Sequence, residues 1–166
     1  MNPGAAPSTE TVVIGLGSPD NGDDAIGPVV AAAVAELGIP GLRVLSHEDP
    51  TALIHLWEGA SHVIVIDAIV SGRTPGSLVV TQAGRSAPPL PESAWAATGR
   101  GGTHAFGLAT AIALARTLGR LPEHLVIVGV EAASVEHGTS LSPVVEAARP
   151  EAIARVVAEV GGHAHS

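Results

Sequence analysis

Three side chains in this sequence are of the types that bind a divalent ion or move a proton, and each sits where a regular element begins or ends. Asp24, with Asp23 before it, lies in the loop GLGSPDNGDDAIG that follows an apolar run. Asp67 closes the apolar run of VIVIDAIVSG, and His104 stands at the start of a helical pattern in GGTHAFG. Two carboxylates and an imidazole suit a borderline ion such as nickel or zinc. Each also has an ordinary role. Asp23 or Asp24 can cap the first helix, Asp67 can be a turn residue, and a histidine at a helix N-terminus can be structural or solvated. The helix N-terminus disfavours a protonated ring, as a neutral metal ligand requires.

A second polar cluster, His47, Glu48 and Asp49, follows the second strand, so Glu48 and Asp49 are further candidates to line a cleft. His55, His62, His124 and His137 have no partner indicated by spacing. Gly15-Leu16-Gly17 resembles a dinucleotide turn, but position 20 is Asp20 where the fingerprint needs glycine. Asp20, Asn21, Asp23 and Asp24 would also repel a pyrophosphate. The sequence has no G-x-S-x-G elbow, P-loop or H-E-x-x-H. With no cysteine, thiolate nucleophiles, thiolate metal sites and disulfides are excluded.

The elements that position these residues alternate. Thr11–Leu16 reads as a strand, and Ile26 to Leu37 as an amphipathic helix closed by Gly38. Pro28 requires that helix to start late or lose a bond. Leu42–Leu45 reads as a short strand, Thr51–Trp57 as a short helix, and His62–Ile66 as a strand ending at Asp67. Ser77–Thr81 is another strand candidate. Residues 84–102 hold three prolines and four glycines and read as a long loop that can close over a ligand, with Trp95 within it. Thr103 caps a helix that Gly119 ends, Leu125–Val130 is a strand, and a helix from Ser142-Pro143 runs to about Val160 with a kink at Pro150. Residues 1–10 read as a disordered lead, 11–160 as a single domain and 161–166 as a frayed tail. Apolar strands separated by helices predict an α/β, three-layer, mainly parallel twisted sheet covered on both faces. Ligands then bind beyond the carboxyl ends of the strands, near a topological switch point, where Asp24, Asp67 and His104 are expected to converge.

Composition narrows the partners. The net charge is −8, and the eight Lys and Arg residues never cluster, against a nucleic-acid footprint or an anionic membrane surface. MNPGAAPSTE has neither the basic nor the apolar region of a signal peptide, and no apolar run spans a membrane, so a cytoplasmic protein is expected.

Four blocks, VIGLGSPDNGDDAIGPVV, VIVIDAIVSGRTPGSL, GGTHAFGLATAIAL and IVGVEAASVEHGTSLSPVVEA, resemble in order and spacing the nickel–iron hydrogenase maturation endopeptidases of the HybD type. The resemblance covers roughly residues 11 to 160. It implies a phosphorylase/hydrolase-like α/β fold and a cleft with three metal-contacting residues, which map onto Asp24, Asp67 and His104. Asp24 stands where the family often has Glu, and Ser18 where it usually has Asn. Glu48 lies near another acid of the family. The implied reaction removes a short C-terminal extension from the hydrogenase large-subunit precursor once nickel is installed, with nickel supplied by the substrate and no organic cofactor. A metal-polarised carbonyl or water, with Asp24 or Asp67 as base, supplies the hydrolysis. Which carboxylate acts, and whether the metal is catalytic or only docks the precursor, stays open at this stage. A monomer is expected. The competing readings are a small-molecule hydrolase on a similar sheet and a non-catalytic metal- or nucleotide-binding module.

Overall fold

The computed structural model describes residues 10–89 and 102–164. Five strands form one sheet: β1 (Thr11–Leu16), β2 (Leu42–His47), β3 (His62–Ile69), β4 (Leu78–Gln82) and β5 (His124–Glu131), in the order β2-β1-β3-β5-β4. β2, β1, β3 and β5 are parallel, and β4 lies antiparallel on β5 at the edge. Every residue of β3 is buried, as expected for a parallel strand covered on both faces.

Helices α1 (Ile26–Glu36) and α4 (Pro143–Ala164) cover one face, with Ile26, Val30, Val34, Val145, Ala152 and Val156 packed on Val13, Ile64 and Val128. The short α2 (Leu53–Leu56) and α3 (Gly102–Thr117) cover the other, with Leu53, Leu108 and Ile112 packed on Val12, Ile14, Val63 and Val65. The three-layer α/β arrangement read from the sequence is therefore the one that forms. From β1 the chain crosses outward to β2. From β3 it crosses the other way, so the switch point lies between β1 and β3.

Several boundaries differ from the sequence reading. β2 continues to His47 and β3 to Ile69, because the pairing of β3 with β5 persists through Asp67↔Gly129 and on to Ile69↔Glu131. Asp67 is thus inside the strand rather than after it. The expected helix at 51–57 is a 3-10 turn, Pro50–Ala52, followed by α2. α3 starts at Gly102, so Thr103 is inside it. α4 runs through Pro150 to Ala164, so the expected tail begins as helix. Pro28 falls in the first turn of α1, where its missing N–H has no helical partner to lose. The lead at 1–9, residues 90–101 of the expected loop with Trp95, and 165–166 lie outside the described residues. Among the described residues no helix is long and apolar enough to cross a membrane.

Candidate functional site

The β1–α1 connection is a close-packed turn. Gly15 of β1 meets Gly27 of α1 so tightly that a Cβ on Gly15 would lie 2.3 Å from the Gly27 carbonyl oxygen. Gly17 has φ +136°, and a Cβ there would lie 2.0 Å from the Asp24 carbonyl oxygen. The two glycines that resemble a nucleotide turn therefore serve to bring the acidic segment Gly22–Ala25 down onto the end of β1. That segment is a 3-10 turn that runs directly into α1, and neither Asp23 nor Asp24 caps a helix end through its side chain.

The adjacent acids have different duties. The Asp23 carboxylate accepts hydrogen bonds from the N–H groups of Ala133 (2.8 Å), Ser134 (3.0 Å) and Ser142 (2.6 Å), and from the Ser142 hydroxyl (2.8 Å). It clamps the β5–α4 connection onto the first loop, with Asn21 and Thr139 bridging alongside. Asp23→Ala leaves three N–H groups without this acceptor, and we expect it to cost about 3 kcal/mol of stability. Urea unfolding measures this directly, and a change below about 1 kcal/mol would contradict the clamp.

Asp24 turns the other way. Only 4% exposed, it accepts a hydrogen bond of 2.8 Å from the Ser18 N–H. Its charge reaches Asp67, which is fully buried in the middle layer. Strand alternation puts Asp67 on the side of Val65 and Ile69, the face that α2 and α3 cover. No hydrogen bond of ordinary geometry reaches either Asp67 carboxyl oxygen among the described residues. Burial, and next the Asp24 charge, push its pKa well above the usual carboxylate range, and the neighbouring Ala68 N–H offsets this only in part. A buried carboxyl beside a second carboxyl, with its pKa raised, has the chemistry of a group that holds or passes a proton.

His104 is the third residue of α3, three positions before Gly107. The side chain of His104 lies outside the described residues. Without that ring, no three His, Asp or Glu side chains form a group able to hold a metal among the described residues. The structure thus brings Asp24 and Asp67 together and places the backbone of His104 on the helix that covers Asp67.

A cleft of about 490 Å³ opens at this rim, lined by Ser18, Asn21, Glu48, Asp49, Thr51 and Gly107 among others. Ser18 ties the cleft to Asp24 beneath it. Glu48 is exposed there, while Asp49 also caps the 3-10 turn by accepting from the Thr51 N–H at 2.9 Å. α3 approaches closely at Gly107, where a Cβ would lie 3.2 Å from Pro50.

Sequence reasoning missed Glu131. At 2% exposure it ends β5 and accepts from the Ser71 N–H, the Ser71 hydroxyl and the Arg73 N–H, fixing the loop that follows β3. An acid directly after an apolar strand, the signal that picks out Asp67, also marks Glu131. Three of the histidines without expected partners have them. His137 Nδ1 lies 2.8 Å from the Asn21 Oδ1, and His62 packs edge-on against His124 with ring centres 6.4 Å apart.

The sequence model of the HycI hydrogenase maturation protease family matches residues 48–159. The hydrogenase 2 maturation protease of Escherichia coli K12 is 30% identical over 151 residues, covering 89% of this chain and 88% of that protein. Among solved structures, the HybD hydrogenase-maturating endopeptidase of E. coli superposes with a TM-score of 0.74 at 25% identity, over 92% of this chain and 93% of that one. A hydrogenase 2 maturation peptidase from Thaumarchaeota archaeon SCGC_AB-539-E09 gives 0.65 at 26%, over 92% and 98%. These likenesses span the sheet, both helical layers and the switch-point cleft, and by them the chain belongs to the hydrogenase maturation protease family of endopeptidases.

Proposed function

We propose that this chain cleaves the C-terminal extension from a nickel-loaded hydrogenase large-subunit precursor, in the cytoplasm, with Asp24 and Asp67 as its working carboxyls. The observation that carries the reading is Asp67, buried at the switch point with neither oxygen satisfied among the described residues and with a second carboxyl beside it. Nickel belongs to the substrate in this reading. Asp24 and Asp67, with His104 as third ligand, would engage it and so fix the scissile peptide in the cleft. A bound divalent ion polarises a carbonyl or a water. The chain's own part is to hold and pass protons. In the free protein burial, and next the Asp24 charge, favour the protonated form of Asp67, while the Ser18 N–H holds Asp24 in place. When the precursor docks, the Asp67 proton would pass to solvent as the carboxylate engages the ion, one of the two carboxyls would take the proton of the attacking water, and that proton would go to the leaving amine as the peptide C–N bond breaks.

An open cleft suits a polypeptide tail better than a small molecule enclosed on all sides. The test mixes the purified protein with large-subunit precursor, with and without nickel, and follows product mass. We expect cleavage only of the nickel-loaded form, undiminished by thiol and serine-protease reagents, because the chain has no cysteine and no serine elbow. Equal cleavage of nickel-free precursor would overturn the reading.

A further inference from the structure

β2 is an edge strand, and the hydrogen-bond register shows which of its groups face outward. Leu16 pairs with His47, and the Gly17 N–H donates to the His47 carbonyl at 3.1 Å. In a parallel ladder a residue sends its N–H and C=O to the same side, and sides alternate along the strand. Arg43, Leu45 and His47 therefore bond inward to β1, while Val44 and Ser46 present their N–H and C=O groups outward. Among the described residues no strand pairs with that side.

Edges of this kind are commonly blocked by proline, bulges or outward charges. β2 has no proline, and its one charged side chain, Arg43, is engaged elsewhere. Arg43 pairs with Glu10 at 2.9 Å and donates to the Leu56 carbonyl at 3.1 Å. The strand also leads straight into the cleft, because Glu48, Asp49, Pro50 and Thr51, which continue from its last residue, form one wall. β2 stands two strand spacings, about 10 Å, from β3 and its Asp67.

We infer that the outer edge of β2 is the docking surface for an extended stretch of the precursor polypeptide, which pairs with Val44 and Ser46 as a sixth strand and is led by that pairing into the cleft. The inference rests on the peptidase reading above and names its interaction surface. Main-chain pairing gives binding without demanding a side-chain sequence. Two outward residues offer four backbone groups, enough to align a substrate transiently and few for a lasting contact between two copies. Substrate held this way is bound equally before and during the chemical step, so its loss raises KM and spares kcat.

Ser46→Pro removes one outward N–H at a position where an edge strand tolerates proline. We expect a roughly three- to tenfold rise in KM for nickel-loaded precursor, the equivalent of one net hydrogen bond, with kcat within about twofold. Amide exchange followed by NMR supplies the second readout, on an Asp67→Asn protein, whose β2 is unaltered and which does not cut, with precursor at concentrations high enough to saturate it despite the weakened nickel contact. The Val44 and Ser46 amides should slow on precursor addition. An unchanged KM in a folded Ser46→Pro variant would overturn the inference alone, leaving the peptidase reading intact. So would protection that appears at Glu48–Thr51 but not at Val44 and Ser46. If the wild-type protein fails to cut the precursor at all, the peptidase reading falls and takes the docking edge with it.

Discussion

Asp67→Asn is expected to abolish precursor cleavage while making the free protein more stable at neutral and alkaline pH. The two effects have one cause. Asp67 is fully buried beside Asp24, and its oxygens have no hydrogen-bond partner of ordinary geometry among the described residues. Burial and then the Asp24 charge raise its pKa. Below the unfolded carboxyl pKa of about 4 the group is neutral in both states, and it costs the fold nothing by its charge. As pH rises through that value the unfolded chain releases a proton that the folded chain keeps, so stability falls until the raised folded pKa is passed, and is then level. Asparagine cannot ionise and lacks this decline. Above neutral pH the variant should therefore gain about 1.4 kcal/mol for each pK unit by which burial raises Asp67, less what its own unpaired amide costs. In a domain of this size that raises Tm by several degrees. The amide can neither carry the proton nor bind an ion as a carboxylate does, so the rate should drop about a hundred- to ten-thousandfold. Urea unfolding of both proteins between pH 4.5 and 8.5, with a cleavage assay beside it, decides the matter. Parallel stability curves would remove the buried-charge account, and wild-type cleavage would remove Asp67 from the site.

That prediction depends on a placement the sequence only half discloses. The apolar run before Asp67 marks a buried strand, and its start at His62 is where the structure has it. Aspartate is rare in strands, so the element reads as ending there. The apolar Ala68, Ile69 and Val70 beyond it are the sign that the strand passes through, and only pairing with β5 shows that it does. The consequence is chemical. At a rim turn the carboxyl would be solvated, whereas inside β3 it is dry and its pKa rises.

The division of labour between Asp23 and Asp24 is not legible locally. Both are buried in one 3-10 turn, and what separates them is the β5–α4 connection, more than a hundred residues away, whose N–H groups take Asp23. Likewise nothing in LVVTQ tells strand direction. β4 is antiparallel because of where the chain enters the sheet, not because of its residue types. The mainly parallel core, by contrast, follows from strands with no polar alternation, which require cover on both faces.

The glycines of the first block make the same point, and they yield a stability effect as large as any expected here. A Cβ at Gly27 would lie 2.1 Å from the Leu16 carbonyl oxygen and 2.8 Å from that of Ile66, backbone atoms at the carboxyl end of β1 and in the second half of β3. Neither atom can rotate aside, so Gly27→Ala must push the start of α1 off the sheet at the switch point. The displaced segment includes Asp24, three residues earlier, whose bond to the Ser18 N–H is then strained. Overpacking against backbone should cost about 3 kcal/mol, lowering Tm by roughly 6–12 °C, and cleavage should fall with it. Gly38 supplies the comparison. It ends α1 at φ +64° with nothing within 4 Å of a would-be Cβ, so Gly38→Ala meets only the strain of the left-handed conformation, about 1 kcal/mol. Thermal unfolding of the two variants separates close approach from backbone conformation. Equal losses for both would mean that α1 is free to shift at Gly27, and that the spacing of G-x-G and Gly27 does not hold Asp24 over the cleft.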